Sequence, residues 1–344
     1  MPATLDLSNR CVALIGGAGF IGHNLALLLK ERGAEVHVLD GLAVNHLGHY
    51  AALQDSDQRG LYVRMLLERL DLLTAAGIPL HRVDAREYHA LSHMLNTIAP
   101  DTIVHLAAVA HADRSNKDPY STFDHSLRTL ENALDWSRGQ DLERFVFLSS
   151  SMVYGHFKDP EVSEDHVLDP IGIYGALKLA GEKLTIAYNQ VFDLPYTILR
   201  PSALYGPRCV SRRVSQAFIE SALVGRTLRV DGEGDEKLDF TYVDDVANGI
   251  IAAITQPAAR NEVFNMTAGK ARSLRELVTL VQEHFPEVEV EFVERDVLRP
   301  FRGTLSMEKA KRLMDFEPQV ELEDGLDRYV SWYRQLTSSE LVRS

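Results

Sequence analysis

The chain has 344 residues, 45% of them hydrophobic, enough for a large core in one big domain or two linked ones. A formal net charge of −13 without a basic run argues against nucleic acid as a partner, and leaves any anionic ligand to locally placed arginines and backbone N–H groups. Residues 1–10 hold no apolar leader, no run reaches membrane-spanning length, and Cys11 and Cys209 fit no disulfide or metal spacing, so a cytoplasmic, soluble protein with no metal is expected.

An apolar run, Val12 to Ile15, stops at Gly16, and glycines recur at Gly19 and Gly22 before a helix-permissive segment, Asn24 to Glu31. This reads as strand, tight turn, helix. Gly16 lets the chain turn, Gly19 lets a pyrophosphate approach the backbone, and Gly22 lets helix and strand pack closely, so that free helical N–H groups face the phosphates. A second strand, Glu35 to Leu39, ends in Asp40, about 20 residues past the first glycine, where a dinucleotide-binding turn wants an acid. A carboxylate there accepts from both ribose hydroxyls and repels a 2′-phosphate, which selects NAD over NADP. Asp40 would also suit a plain turn before Gly41.

Residues 41–58 are mixed, with Asn45 to Gly48 loop-like, and Leu61 to Ala75 has helical spacing in Leu66, Leu70 and Leu73. This insertion, about 41–78, either covers the adenosine end or forms an oligomer contact. Pro79 to Val83 is a strand ending in Asp84 and Ala85, Glu87 to Ile98 a helix, and Thr102 to Leu106 a strand leading to Ala107 and Ala108, small enough for close cofactor approach. Pro119 to Trp136 reads as a helix, and Arg144 to Leu148 as a strand running into Ser149-Ser-Ser-Met-Val-Tyr-Gly155. Ile173 to about Val191 is a helix and Tyr196 to Leu199 a strand. The alternation predicts an α/β fold, a Rossmann-like doubly wound parallel sheet, with residues 1–200 as the NAD-binding domain.

After Arg200 the chain is broken by Pro201, Gly206, Pro207, Gly225 and the Asp231 to Gly234 turn. Helices are expected at Ser215 to Val224, Val243 to Thr255, Ser273 to His284, Met307 to Leu313 and Glu323 to Leu336, the last with Leu326, Tyr329, Val330 and Tyr333 on one face. Residues 201–344 are therefore expected to form mainly a smaller mixed α/β substrate lobe, with some segments returning to the NAD-binding domain, over the carboxyl ends of the strands.

Tyr174 and Lys178 lie one helical turn apart on one face. A lysine beside a tyrosine favours the phenolate, bringing a phenol with pKa near 10 toward working pH as a general base. The serine cluster ending the preceding strand strengthens this weak motif, because a hydroxyl there can hold a substrate hydroxyl against the tyrosine.

Taken together, GGAGFIG at 16–22, Asp40, Asp84, HLAA at 105–108, SSSMVYG at 149–155, YGALK at 174–178 with Glu182, LRPSALYGPR at 199–208, DFTYVDDVANGI at 239–250 and RGTLSMEKAKRL at 302–313 resemble an extended short-chain dehydrogenase/reductase, in the group of nucleotide-sugar epimerases and dehydratases. The resemblance implies that Gly16, Gly19, Phe20 and Ile21 hold the pyrophosphate, Asp40 the adenosine ribose, and Asp84 and Ala85 the adenine. It places Leu106, Ala107 and Ala108 on the path to the nicotinamide ribose, and Ser150, Tyr174 and Lys178 as the catalytic set, with Tyr174 and Lys178 also touching the cofactor. It also implies a homodimer through helices 119–137 and 173–191.

Departures from the family pattern bear on the reaction. Dehydratases and decarboxylases of the group carry a carboxylate two residues after the catalytic hydroxyl, where this chain has Met152, which cannot transfer a proton. Ala203, Leu238 (beside Lys237) and Ser126 stand where the family has asparagine, arginine and asparagine, so a diphosphate would rely on others among Arg208, Arg212, Arg213, Arg299 and Arg302. His111, Ser151, Met152, Arg208 and Arg302 are the expected substrate contacts. The leading expectation is an NAD-dependent nucleotide-sugar epimerase acting at C4 through a 4-keto intermediate. Its rivals are a 4,6-dehydratase or 4-dehydrogenase releasing a keto sugar, and a non-catalytic NAD-binding homologue.

Overall fold

The computed structural model describes residues 6–44, 47–52, 56–109, 112–295 and 299–338. Seven strands form the central sheet: β1 (Cys11–Ile15), β2 (Glu35–Asp40), β3 (Leu80–Arg82), β4 (Thr102–His105), β5 (Arg144–Leu148), β6 (Tyr196–Pro201) and β7 (Glu262–Met266). Their order is β3-β2-β1-β4-β5-β6-β7 and every pairing is parallel. β4 and β5 are buried throughout because helices cover both faces, which is why their apolar residues, Ile103-Val104 and Phe145 to Leu148, run consecutively rather than alternate. The order reverses at β1 and β4, and the crevice outside their carboxyl ends is where such sheets bind ligands.

One face of the sheet packs Val12, Leu14, Val38 and Val104 against helix α1 (Phe20–Glu31). The other packs Ala13, Ile15, Ile103 and Phe145 against Leu91 and Leu95 of α2 (Tyr88–Ile98). α1 begins at Phe20, earlier than the apolar spacing suggests, because Gly19 is already extended and caps it. A Cβ on Gly22 would lie 2.5 Å from the Gly17 backbone, so this close approach of helix and turn requires glycine.

The expected helix over Pro119 to Trp136 is present but not uniform. Pro119–Phe123 and Thr129–Ser137 are α-helical, and Asp124–Arg128 between them widens into a π-turn. Such a turn swells one face of a helix and is frequent at functional sites.

A second core holds Phe218, Leu228, Val230, Leu277, Val281, Leu326, Tyr329 and Tyr333. The 41–78 insertion joins it. Its helix Ser56–Ala75 supplies buried Tyr62, Met65 and Leu66, and the Tyr62 hydroxyl donates to Glu220 Oε2 at 2.7 Å while Tyr333 donates to Oε1 at 2.9 Å. The described part of the expected loop at Asn45 to Gly48 begins a short helix, Leu47–Ala51.

Candidate active site

The carboxyl ends of β1 to β4 open into a cavity of about 790 Å³. Gly16, Gly19, Phe20, Ile21, Asp40, Asp84, Ala85, Leu106, Ala107 and Ala108 all line it, so one cavity collects turns that are up to 92 residues apart (16 to 108). Gly16 has φ +82°, and a Cβ there would meet Ala107 N at 2.6 Å. A Cβ on Gly19 would meet only Gly16 O within 4 Å, leaving its open side to the cavity. α1 has no side-chain cap and no acid in its first turn, so its leading N–H groups are left for an anion. Asp40 accepts from Ala18 N (3.0 Å) and Leu42 N (2.8 Å), which orients the carboxylate at the cavity edge; burial raises its pKa against those bonds. These residues fit a dinucleotide: a backbone cradle for two phosphates and an oriented acid for a ribose.

Asp84 is gripped by Arg86 through Nε at 3.0 Å and Nη2 at 2.6 Å, and this pairing holds its carboxyl below the ordinary carboxylate range. Asn132 donates to the Ala85 and Arg86 carbonyls, both at 2.9 Å, and so fixes the turn from below. The π-turn brings His125 and Thr129 to the cavity wall, and the Ser126 hydroxyl accepts from Val109 N at 3.3 Å.

Beyond that lining, β5 ends in the serine cluster. Ser150 accepts from Met152 N at 3.2 Å and opens a short 3₁₀ turn, Ser151–Tyr154. A Cβ on Gly175 would lie 2.7 Å from Met152 O, so helix α3 (Gly172–Phe192) presses directly on this turn. Tyr174 is thereby brought beside the Ser150 hydroxyl, which favours its ionised form. Burial raises the Tyr174 pKa, while the charge of Arg213 and the nearby Ser150 hydroxyl oppose the rise. Lys178 donates to Leu148 O at 2.6 Å, with its ammonium 5.0 Å from the Phe147 ring centre and 6.0 Å from that of Tyr174. Burial brings Lys178 down to about 8, and Glu182 offsets part of that. A hydroxyl, a phenol and an ammonium thus gather at the end of β5.

Arg213 links the two regions: it lines the cavity and its charge reaches Tyr174. Arg302 is half-buried with its Nε unpartnered, its nearest acid being Glu236 Oε1 at 4.0 Å, and burial depresses its pKa. An unpartnered guanidinium edge of this kind suits an anion. Ser151 is buried in the 3₁₀ turn and Met152 is half-buried there.

Arg208 corrects the sequence expectation. It donates to His23 Nε2 (2.8 Å), Asn24 Oδ1 (3.0 Å) and Glu68 Oε1 (3.1 Å), which uses its guanidinium to tie α1 to the insertion helix rather than to meet a substrate. Leu238 is buried in the second core and Lys237 is exposed, so neither takes the place of the family's arginine. His111 lies outside the described residues. The sequence reading also missed Tyr50, Tyr62 and Arg69 of the insertion, which line the cavity. Arg69 is fully buried, donates to Arg208 O through Nε at 3.0 Å and through Nη2, and keeps Nη1 unpartnered. A lone arginine inside an otherwise helical pattern gives no sign of this.

Residues 12–267 match the NAD dependent epimerase/dehydratase family, and the chain belongs to that family. It is 29% identical over 334 residues to a Bacillus subtilis (strain 168) protein described as an uncharacterized UDP-glucose epimerase, covering 96% of this chain and 99% of that one. Among solved structures, the UDP-glucuronic acid 4-epimerase of Bacillus cereus, in complex with UDP-glucuronic acid and NAD, is 27% identical, with TM-score 0.80 and coverage of 94% and 99%. A dTDP-glucose 4,6-dehydratase double mutant from Streptomyces venezuelae, with NAD bound, is 26% identical, with TM-score 0.82 and coverage of 94% and 97%. Epimerase and dehydratase are about equally near, so the overall likeness does not choose between the reactions.

Proposed function

We propose that this family member is an NAD-dependent epimerase that inverts C4 of a nucleotide-linked hexose. The observation that carries the reading is the gathering of Ser150, Tyr174 and Lys178 at the end of β5, with Met152 where a dehydratase needs a carboxylate. Gly16, Gly19, Phe20 and Ile21 would hold the cofactor's pyrophosphate and Asp40 its adenosine ribose. Asp84 and Ala85 would flank the adenine, and Leu106, Ala107 and Ala108 would line the path to the nicotinamide ribose. NAD, when bound, supplies a reversible hydride acceptor.

Tyr174 takes the proton from the C4 hydroxyl as that carbon is oxidised, and returns it once the sugar presents its other face. Ser150 donates a hydrogen bond that favours the Tyr174 phenolate and steers the substrate hydroxyl toward it. Lys178, charged below about 8, lowers the cost of the phenolate. Met152 has no proton to give or take, so the intermediate is left to return to the hexose rather than lose water. Arg213 and Arg302 would meet the diphosphate, and Ser151 and Met152 the sugar. Exposed Tyr120, Phe123, Val191 and Phe192 on the helical segments Pro119–Phe123 and α3 support a homodimer through that face.

The test is product mass spectrometry after incubation with a panel of nucleotide hexoses in heavy water. An isomer of unchanged mass without deuterium is expected. An isomer carrying deuterium would place the chemistry next to a carbonyl instead, and a dehydrated or keto product would replace epimerisation with elimination or net oxidation.

A further inference from the structure

A second group of chemically able side chains sits at the opposite end of the sheet. Cys11 opens β1 and Glu35 opens β2, and the two are register partners in the parallel ladder. His37 is two residues after Glu35 and so projects from the same face of the sheet. The Cys11 sulfur, a Glu35 carboxylate oxygen and a His37 ring nitrogen lie within 4.8 Å of one another. We propose that Cys11, Glu35 and His37 form a site for a zinc-class divalent ion, separate from the NAD cavity.

The His37–Glu35 pair already has ligand spacing, and the Cys11 sulfur would close on it from within 4.8 Å. His37 Nε2 is 3.1 Å from Glu35 Oε1, and two such ligands at about 2.0–2.1 Å from a tetrahedral zinc stand about 3.3 Å apart. The other ring nitrogen, Nδ1, is 3.0 Å from His81 Nε2, and the two rings stack with centroids 5.3 Å apart at 25°. His81 therefore fixes the ring of His37 with Nε2 turned toward the ion, the role that an outer partner plays for a ligating histidine. Among the described residues the Cys11 sulfur makes one long hydrogen bond, 3.9 Å to Ile98 O, which a metal ligand can give up. Glu35 is exposed, so the ion enters from solvent and water completes the fourth position. Thiolate, imidazole and carboxylate together favour zinc over magnesium or calcium.

The five residues of β1 separate Cys11 from the Gly16 turn by about 17 Å at about 3.3 Å each, so the ion would clip the starts of β1 and β2 together and take no part in turnover. No sequence spacing announces the site, because its cysteine and its carboxylate are brought together only by strand register.

The test uses the full-length, NAD-loaded protein, stripped with a chelator and titrated with cobalt(II). One ion per chain with a thiolate-to-cobalt charge-transfer band is expected, displaced by zinc. Cys11→Ser should abolish the band, and His37→Ala should weaken affinity at least tenfold, while circular dichroism shows both variants folded. Zinc should raise the thermal midpoint of the wild type and not of Cys11→Ser. The absence of the band in the wild type, or cobalt binding as tight in both variants as in the wild type, would overturn the site.

Discussion

Arg200 holds Glu182 through paired hydrogen bonds, Nε to Oε1 at 2.9 Å and Nη2 to Oε2 at 2.7 Å, with both side chains buried. The Ser149 hydroxyl donates to the same carboxylate at 2.5 Å. Arg200 also donates to the Tyr154 hydroxyl at 2.8 Å, and Tyr154 donates to Asn265 Oδ1 at 2.7 Å. The clamp thus binds β6, β7 and the serine-cluster turn to α3, the helix that carries Tyr174 and Lys178. Removing one partner would strand the other's charge in a dry interior. Glu182→Ala is expected to destabilise the fold by about 3–5 kcal/mol, read as a lower denaturant midpoint at unchanged slope. A loss below about 1 kcal/mol would mean that the pair behaves like a surface bridge.

Tyr174 is the proton carrier in the proposed reaction, and its hydroxyl is the only atom that Phe removes. Tyr174→Phe should lower kcat by about 10²–10⁴-fold, with NAD retained on the purified protein and the thermal midpoint little changed. Ser150→Ala, which removes one charge-assisted hydrogen bond, should cost about 1.5–3 kcal/mol in kcat/KM. Near-normal turnover of Tyr174→Phe would remove Tyr174 from the chemistry.

The parts of this site that end strands were legible in the chain. Gly16 and Ser149 follow the buried strands β1 and β5, and such strands print themselves as apolar runs with an abrupt polar or glycine stop. The parts that depend on distant pairing were not. Arg208 resembles a substrate arginine in LRPSALYGPR, yet its partners His23, Asn24 and Glu68 are between 140 and 185 residues away. The π-turn at Asp124–Arg128 adds no residue type that distinguishes it from an α-helix. Arg69 reaches the cavity only because its helix folds back onto the second core.

In the proposed NAD site Asp40 would separate the two nicotinamide cofactors by charge, and Arg69 acts electrostatically on it within the same cavity. Asp40→Ser keeps a small polar group and removes the negative charge, leaving Arg69 with its unpartnered Nη1 to face a 2′-phosphate. NAD affinity should fall by about 1.5–3 kcal/mol, while the preference for NAD over NADP narrows or reverses. Titrating both cofactors against tryptophan fluorescence tests this. An unchanged ratio of the two dissociation constants would show that Asp40 does not read the ribose.

Lys178 sets the alkaline limit of the proposed reaction. Burial lowers its pKa from the ordinary lysine value to about 8, so the ammonium is present below that pH and lost above it. The phenolate of Tyr174 then loses the cation one helical turn away and keeps the charge of Arg213, and kcat/KM should decline as pH rises through about 8. Glu182 gives the limb a second, independent check. Its charge raises the Lys178 pKa, although its oxygens are bonded to Arg200 and Ser149 rather than to the ammonium. Glu182→Gln keeps the shape and one acceptor but removes the charge, so Lys178 should become easier to deprotonate and the alkaline limb should move to lower pH. A purely structural role for Glu182 would lower activity evenly across the pH range and leave the limb in place. The displacement of the limb, not the size of the activity loss, therefore decides whether the Glu182 carboxylate tunes the lysine or only anchors the helix.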